Sequence, residues 1–343
     1  MKNKEYNQIN ILKSIAIMFV LILHSISNQF ERSIYTVFHI HQAIPIFMLL
    51  IGLNLSLSFR KKMNFKIYPK KYLISKFKRF VIPYLIIYLC VIIIVKILFP
   101  KLTFNINYFL FGFSYISGFG NYFILILFQS IIIFPVIYHY YKKNPKLTII
   151  ICLIINFFFQ YSLSFIVNNE IFYLNILIGY YKRLVLHYIG YIVLGIWISD
   201  KYNNQKISVF LKENKKLFLV FLISVIYLIF YYITGNKFSF QNYFIISIGY
   251  TVLIVLFGLR FLPKEIKNDF QKLFNYIGKS SYHIYLVQMV FFTILIRLTP
   301  EIYFSNNLFY MIILLFIAFV YCILLGIIFF EFCKLISKIG IFQ

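Results

Sequence analysis

Acidic residues are scarce in this chain, and long polar stretches are missing. Nine Asp and Glu stand against 34 Lys and Arg, a formal charge of +25 over 343 residues. Such an excess could signal nucleic-acid binding. The basic residues do not gather in a soluble domain or arm, however, so no nucleic-acid partner is expected. No linker, low-complexity tract or internal repeat interrupts the sequence, and residues 1–343 are expected to form one membrane-embedded domain. The four cysteines, Cys90, Cys152, Cys322 and Cys333, all fall inside apolar runs, without the spacing of a disulfide framework or a metal site. A P-loop, a zinc signature and a G-x-S-x-G elbow are all absent, and no metal is expected. The first apolar run lacks a small-residue cleavage site and is expected to remain as a helix.

What is present is hydrocarbon. The chain is 62% hydrophobic, and apolar runs near twenty residues recur along its length. In lipid only helices and closed barrels satisfy every backbone polar group. A barrel would read as short alternating segments, which do not occur here. The expected fold is an all-α polytopic membrane helix bundle of about ten spans: 9–29, 37–59, 80–99, 122–141, 147–167, 184–199, 217–234, 243–262, 281–298 and 309–333. The stretch 171–183, "IFYLNILIGYYKR", reads as a short interfacial or re-entrant piece. With both termini cytoplasmic, the inner segments hold 25 basic residues and the outer ones six. That asymmetry is what the positive-inside rule requires of a multi-pass cell-membrane protein.

Two ionisable residues share the first span. Lys13 and His24 are eleven residues apart, three helical turns, and so project from nearly the same face about 16 Å apart along the axis. Two readings stand on this geometry alone. Lys13 could snorkel to the inner surface while His24 sits as a hydrogen-bonded core residue, or both could face a polar interior with a functional role. Ser281, Tyr285 and Gln288 likewise share one face of the ninth span, at i, i+4 and i+7. That face could line a tunnel or serve ordinary hydrogen bonding between helices.

Other segments add a pattern. After Lys13 and His24 come "IPIFMLLIGLN" (44–54), "KRFVIPY" (78–84) and "IGKSSYHIYLVQ" (277–288). In this order, and on the sides of the membrane that the span count assigns, they resemble the acyltransferase-3 family of integral membrane acyltransferases. That family pairs a basic residue with a histidine eleven positions on. It continues with a Pro-x-Phe-Phe-x-x-Ser-Gly helix and a basic Arg-x-x-x-Pro-Tyr segment. Near its C-terminus it carries Gly-Lys-x-Ser-Tyr-x-x-Tyr-Leu-x-His. Two positions depart from it: Ile51 stands where the family has Ser, and Gln288 where it has His.

The resemblance implies an O-acyltransferase that moves an acyl group, acetyl in the first place, from cytoplasmic acetyl-CoA to a hydroxyl of an extracytoplasmic glycan or lipid-linked sugar. On that reading His24 is the catalytic base, or is itself transiently acylated. Lys13, Lys76, Lys78 and Arg79 would bind the donor's phosphates and thioester region. Ser281, Tyr285, Gln288 and His39 would line the substrate path. His39 and His41 could bind the acceptor sugar or be interfacial residues, and His283 looks structural. A polysaccharide exporter is the competing reading, since ten helices with intramembrane charges could also build a translocation path.

Overall fold

A computed structural model describes residues 6–60, 68, 70–98, 120–168, 183–204, 215–234, 245–303 and 305–338. Among them the regular structure is helical. Helix α1 (Asn7–Ser25) leads through a short α2 (Asn28–Ser33) and two single 3₁₀ turns into α3 (Ala43–Arg60). Then come α4 (Lys70–Lys76), a π-helical segment (Phe77–Val81) and α5 (Ile82–Leu98). The middle of the chain supplies α6 (Asn121–Lys143), α7 (Pro145–Asn168), α8 (Ile189–Asn204) and α9 (Lys215–Thr234). The C-terminal part supplies α10 (Ile248–Phe261), α11 (Asp269–Leu298), the one-turn α12 (Pro300–Tyr303) and α13 (Leu308–Lys338).

Each of the ten expected spans coincides with a helix. Among the described residues eight helices are long and apolar enough to cross a membrane. The other two, α8 and α10, have 16 and 14 residues, and each is preceded by a 3₁₀ turn (Val185–His187 and Ile245–Ser247). Each begins five residues later than the sequence suggests, at 189 against 184 and at 248 against 243, because polar side chains bond the backbone where the helix would begin. Gln160 donates to His187 O at 2.9 Å and accepts from Ile245 N at 2.8 Å, so one buried amide on α7 ties both starts together. The stretch 171–183 lies outside the described residues except for Arg183.

The centre of the bundle is built from α1, α3, α8 and α11, whose side chains are the most completely enclosed. Helices α3 and α8 meet backbone to backbone: a Cβ on Gly52 would strike the Ile192 carbonyl, and one on Gly195 the Leu49 carbonyl. Helices α1 and α11 run parallel, with Gly278 against the Asn10 carbonyl at one end and Phe292 beside His24 at the other. The outer helices α5, α9 and α13 turn apolar side chains outward, among them Ile97, Ile233 and Phe316 at 72%, 75% and 69% exposure. Exposed hydrocarbon on this scale marks surface that faces lipid.

Polar side chains fasten the basic end. Asn7 Nδ2 donates to Lys264 O at 2.8 Å, Gln8 Nε2 to Leu259 O at 2.6 Å, and Asn10 Nδ2 to Asn275 Oδ1 at 2.9 Å. Asp200 accepts from Arg60 and, at 3.2 Å, from Lys142, so one scarce carboxylate joins α3, α6 and α8. Glu331 takes Tyr276 and Lys334, tying α11 to α13. Residues at the two ends of the described chain, Asn7 and Lys334, therefore sit at the same end of the bundle, as an even number of crossings demands.

Candidate active site

The site begins with a break in regular helix. Pro83 has no N–H to donate to the Arg79 carbonyl, and its ring crowds the preceding turn. The chain responds by widening: Ile82 N–H bonds Phe77 O, five residues back, and residues 77–81 form a π turn. The Phe80 carbonyl accepts from Tyr282 Oη at 2.6 Å, which locks the turn to α11. This turn presents Lys78 and Arg79 to the bundle, with the Arg79 guanidinium 5.4 Å from the Phe80 ring centroid. One turn earlier Lys76 is nearly buried, its Nζ 3.5 Å from Ser58 Oγ and 5.6 Å from the Tyr72 ring.

Two adjoining cavities open around these groups. The wider one, about 860 Å³, is a vestibule at the basic end, walled by Lys13, Lys78, Arg79, Lys279, His283 and Lys334. No carboxylate is among the described residues that line it. The narrower one, about 350 Å³, shares Lys13, Arg79, Lys279 and Tyr282 with the vestibule and extends inward past Asn54, Ser58 and Lys76. Its inner wall is apolar and aromatic: Phe47 stacks edgewise on Phe123 at 5.9 Å, and Phe123 on Tyr285 at 5.0 Å. Tyr285 Oη donates to the Gly120 carbonyl at 2.5 Å. Gly120 holds a left-handed φ of 86°, and a Cβ there would collide with that hydroxyl.

All four residues expected to bind the donor therefore line one of these cavities: Lys76 the narrow one, Lys78 the wide one, Lys13 and Arg79 both. Ser281 and Tyr285 line the narrow cavity, whereas Gln288 lies one turn beyond Tyr285 and lines neither. Gln288 is fully enclosed, and neither its Oε1 nor its Nε2 has a hydrogen-bond partner among the described residues. His24, near the end of α1, stands beside α11 further along, half-buried with its ring 5.7 Å from that of Phe292. The cavity at Lys13 reaches Tyr285, and two further turns of α11 separate Tyr285 from Phe292. His39 is placed at the same end of the bundle as His24, with Nε2 2.8 Å from Ile34 O. His41 pairs with Glu31 at 3.3 Å, and this keeps Glu31 for a partner other than His24. Beside Phe292, Tyr303 is pushed up to about 12, chiefly by burial and further by the Glu31 carboxylate, so its phenol stays protonated at neutral pH.

The sequence reading missed Asn54, Ser58, Lys279, Tyr282 and His283. Its signal was available on α11, where Lys279, Tyr282 and His283 follow at i, i+3 and i+4 and define a second polar strip beside the first. His283, expected to be structural, lines the vestibule.

Replacing Gln288 with Leu tests what that amide does for the fold. Two enclosed polar atoms without partners cost about 1–3 kcal/mol each, so Gln288→Leu is expected to raise the thermal unfolding temperature in detergent. An unchanged or lower temperature would show that the amide is bonded in the folded protein.

A helical bundle with lipid-facing outer helices, whose cation-walled vestibule adjoins an aromatic-ended cavity, defines an integral membrane protein. The acyltransferase-3 family model, described as an acyltransferase domain, matches residues 6–327, and the chain belongs to that family. It is a membrane acyltransferase. Neither the curated proteins nor the solved structures give a match.

Proposed function

We propose that the protein transfers an acyl group, acetyl in the first place, from acyl-CoA in the basic vestibule to a hydroxyl of an extracytoplasmic glycan or lipid-linked sugar. The observation that carries this reading is the pairing of cavities: a wide anion-attracting chamber continuous with a narrow one that ends in apolar rings. The donor has that shape, with phosphates at one end and a thin thioester-bearing arm at the other. Lys78 and Arg79 take phosphate oxygens, while Lys13 and Lys76 neutralise charge where the arm enters. Ser281 and Tyr285 line the first part of the acyl group's route along α11 towards His24, and His39 belongs to the acceptor's end. The basic end faces the cytoplasm, as the distribution of Lys and Arg requires, so both termini are cytoplasmic.

In the chemical step an acceptor O–H attacks the thioester carbonyl. His24 removes the hydroxyl proton as the C–O bond forms, the C–S bond then breaks, and the proton returns to the departing thiolate. Ester and free thiol are the products, and no oxidant or metal enters the balance.

Purified protein given radiolabelled acetyl-CoA and crude cell-surface glycan is expected to label the glycan. Glycan flux across liposomes without acyl-CoA, and no label transfer, would overturn this in favour of an exporter. The donor site has its own check. CoA at a hundred times its dissociation constant stabilises the folded protein by about 2.7 kcal/mol. In Arg79→Gln this thermal protection is expected to disappear at the same CoA concentration. Full protection of the variant would remove Arg79 from the site.

A further inference from the structure

The vestibule has a second wall that the donor-binding residues do not explain. His283 is 6% exposed, lines the chamber, and has no hydrogen-bond partner for either ring nitrogen among the described residues. Its ring is fixed between those of Phe329 at 5.3 Å and Phe330 at 5.2 Å, both on α13. A neutral imidazole carries one N–H donor and one acceptor nitrogen, and leaving them unmet in a low-dielectric interior is costly. One turn back along α11, Lys279 enters the same chamber, and Lys78 faces it from the π turn. Lys334 also reaches the wall, but Glu331 holds it at 3.2 Å and reduces its effect. Cations thus gather on this wall, and no carboxylate is among the described residues that line the chamber.

We propose that His283 and Lys279, with Lys78 opposite, form a phosphate-monoester subsite. A phosphate dianion supplies the acceptor oxygens that an imidazole N–H and an ammonium require, in numbers that a single carboxylate does not. This inference rests on the acyl-CoA reading above and makes it specific. The donor is recognised by a terminal phosphate monoester, the 3′-phosphate of CoA, in addition to its diphosphate and arm. The chemistry is shared with a phospholipid headgroup such as phosphatidic acid, since the chamber opens at the bundle's end, and the test separates the two sources.

The full-length protein in detergent is titrated with CoA, dephospho-CoA, adenosine 3′,5′-bisphosphate and short-chain phosphatidic acid, and thermal stability is read. The wild type is expected to bind CoA about tenfold or more tightly than dephospho-CoA, the value of one or two charge-assisted bonds. Adenosine 3′,5′-bisphosphate should stabilise it, and phosphatidic acid should not. In His283→Leu and in Lys279→Met the two CoA forms should bind within about twofold of each other. His283→Gln, which keeps an N–H donor, should restore part of the gap and guards against a folding defect in the Leu variant. Equal binding of CoA and dephospho-CoA by the wild type, an undiminished gap in both variants, or stabilisation by phosphatidic acid alone would each overturn the subsite. Labelled acetyl transfer that is indifferent to the 3′-phosphate would sink this inference and leave the acyltransferase reading standing. Absence of both transfer and CoA binding would sink the two together.

Discussion

His24→Ala is expected to lower acyl transfer by about 10²–10⁴-fold, the usual contribution of a general base, while the protein still folds and still binds CoA. A sugar hydroxyl is a weak nucleophile until a positioned base takes its proton as the C–O bond forms. His24 lies near the end of α1, half-buried, with its ring 5.7 Å from that of Phe292 on α11. Truncating a half-buried side chain near a helix end costs on the order of 1–2 kcal/mol, which an intact bundle tolerates. The separation of effects is what makes the experiment informative. CoA protection against unfolding reports the vestibule, three turns deeper at Lys13, and should survive. Label transfer reports the proton acceptor and should be lost. His24→Asn, which keeps a hydrogen-bonding side chain without the basicity, should be as inactive as the Ala variant. Transfer within threefold of wild type in either protein would remove His24 from the chemistry.

Gly52→Ala should produce a large stability loss for so conservative a substitution. The added methyl has no side chain to displace. It meets the Ile192 carbonyl carbon and oxygen on α8, so the two helices must part. Gly195 repeats the arrangement from the other side against the Leu49 carbonyl, and Gly195→Ala should behave alike. Overpacking of a well-filled site costs about 1–3 kcal/mol. A clash with backbone belongs at or above the top of that range, because no rotamer relieves it. Gly258→Ala is the control: its methyl would meet only the end of the Leu12 side chain, which is free to turn aside. Thermal unfolding of the three variants in one detergent should place Gly52→Ala and Gly195→Ala well below Gly258→Ala. Helix α3 also carries Phe47, Ile51 and Asn54 of the narrow cavity. A shift away from α8 should therefore lower activity below what the unfolded fraction explains. Equal unfolding temperatures for all three would mean that α3 and α8 do not approach as closely as described.

The pattern of hydrocarbon and charge was enough to place a helix in each expected span, eight of them, among the described residues, long and apolar enough to cross a membrane. Water-free surroundings leave the backbone no choice but helix, and about twenty apolar residues fill the membrane's thickness, so spans are readable one at a time from the chain alone. Local spacing likewise put Ser281, Tyr285 and Gln288 on one face, since a 3.6-residue repeat is a property of a single helix. The strip at Lys279, Tyr282 and His283 obeys the same repeat, yet nothing in one helix says which of two polar strips meets a cavity. That depends on where α13 sets Phe329 and Phe330 and where α5 begins its π turn.

The linear order of residues thus determined the all-helical architecture, the alternation of crossings and the basic end, because each follows from interactions between a segment and its solvent. The tertiary structure alone decided that the cavity at Lys13 stops at Tyr285, that Gln288 is enclosed without a described partner, and that His283 faces the vestibule. Those facts depend on contacts between segments far apart in the chain, such as Tyr285 with Gly120, 165 positions away. No local pattern encodes a distance of that kind. It is fixed only when packing brings the helices together.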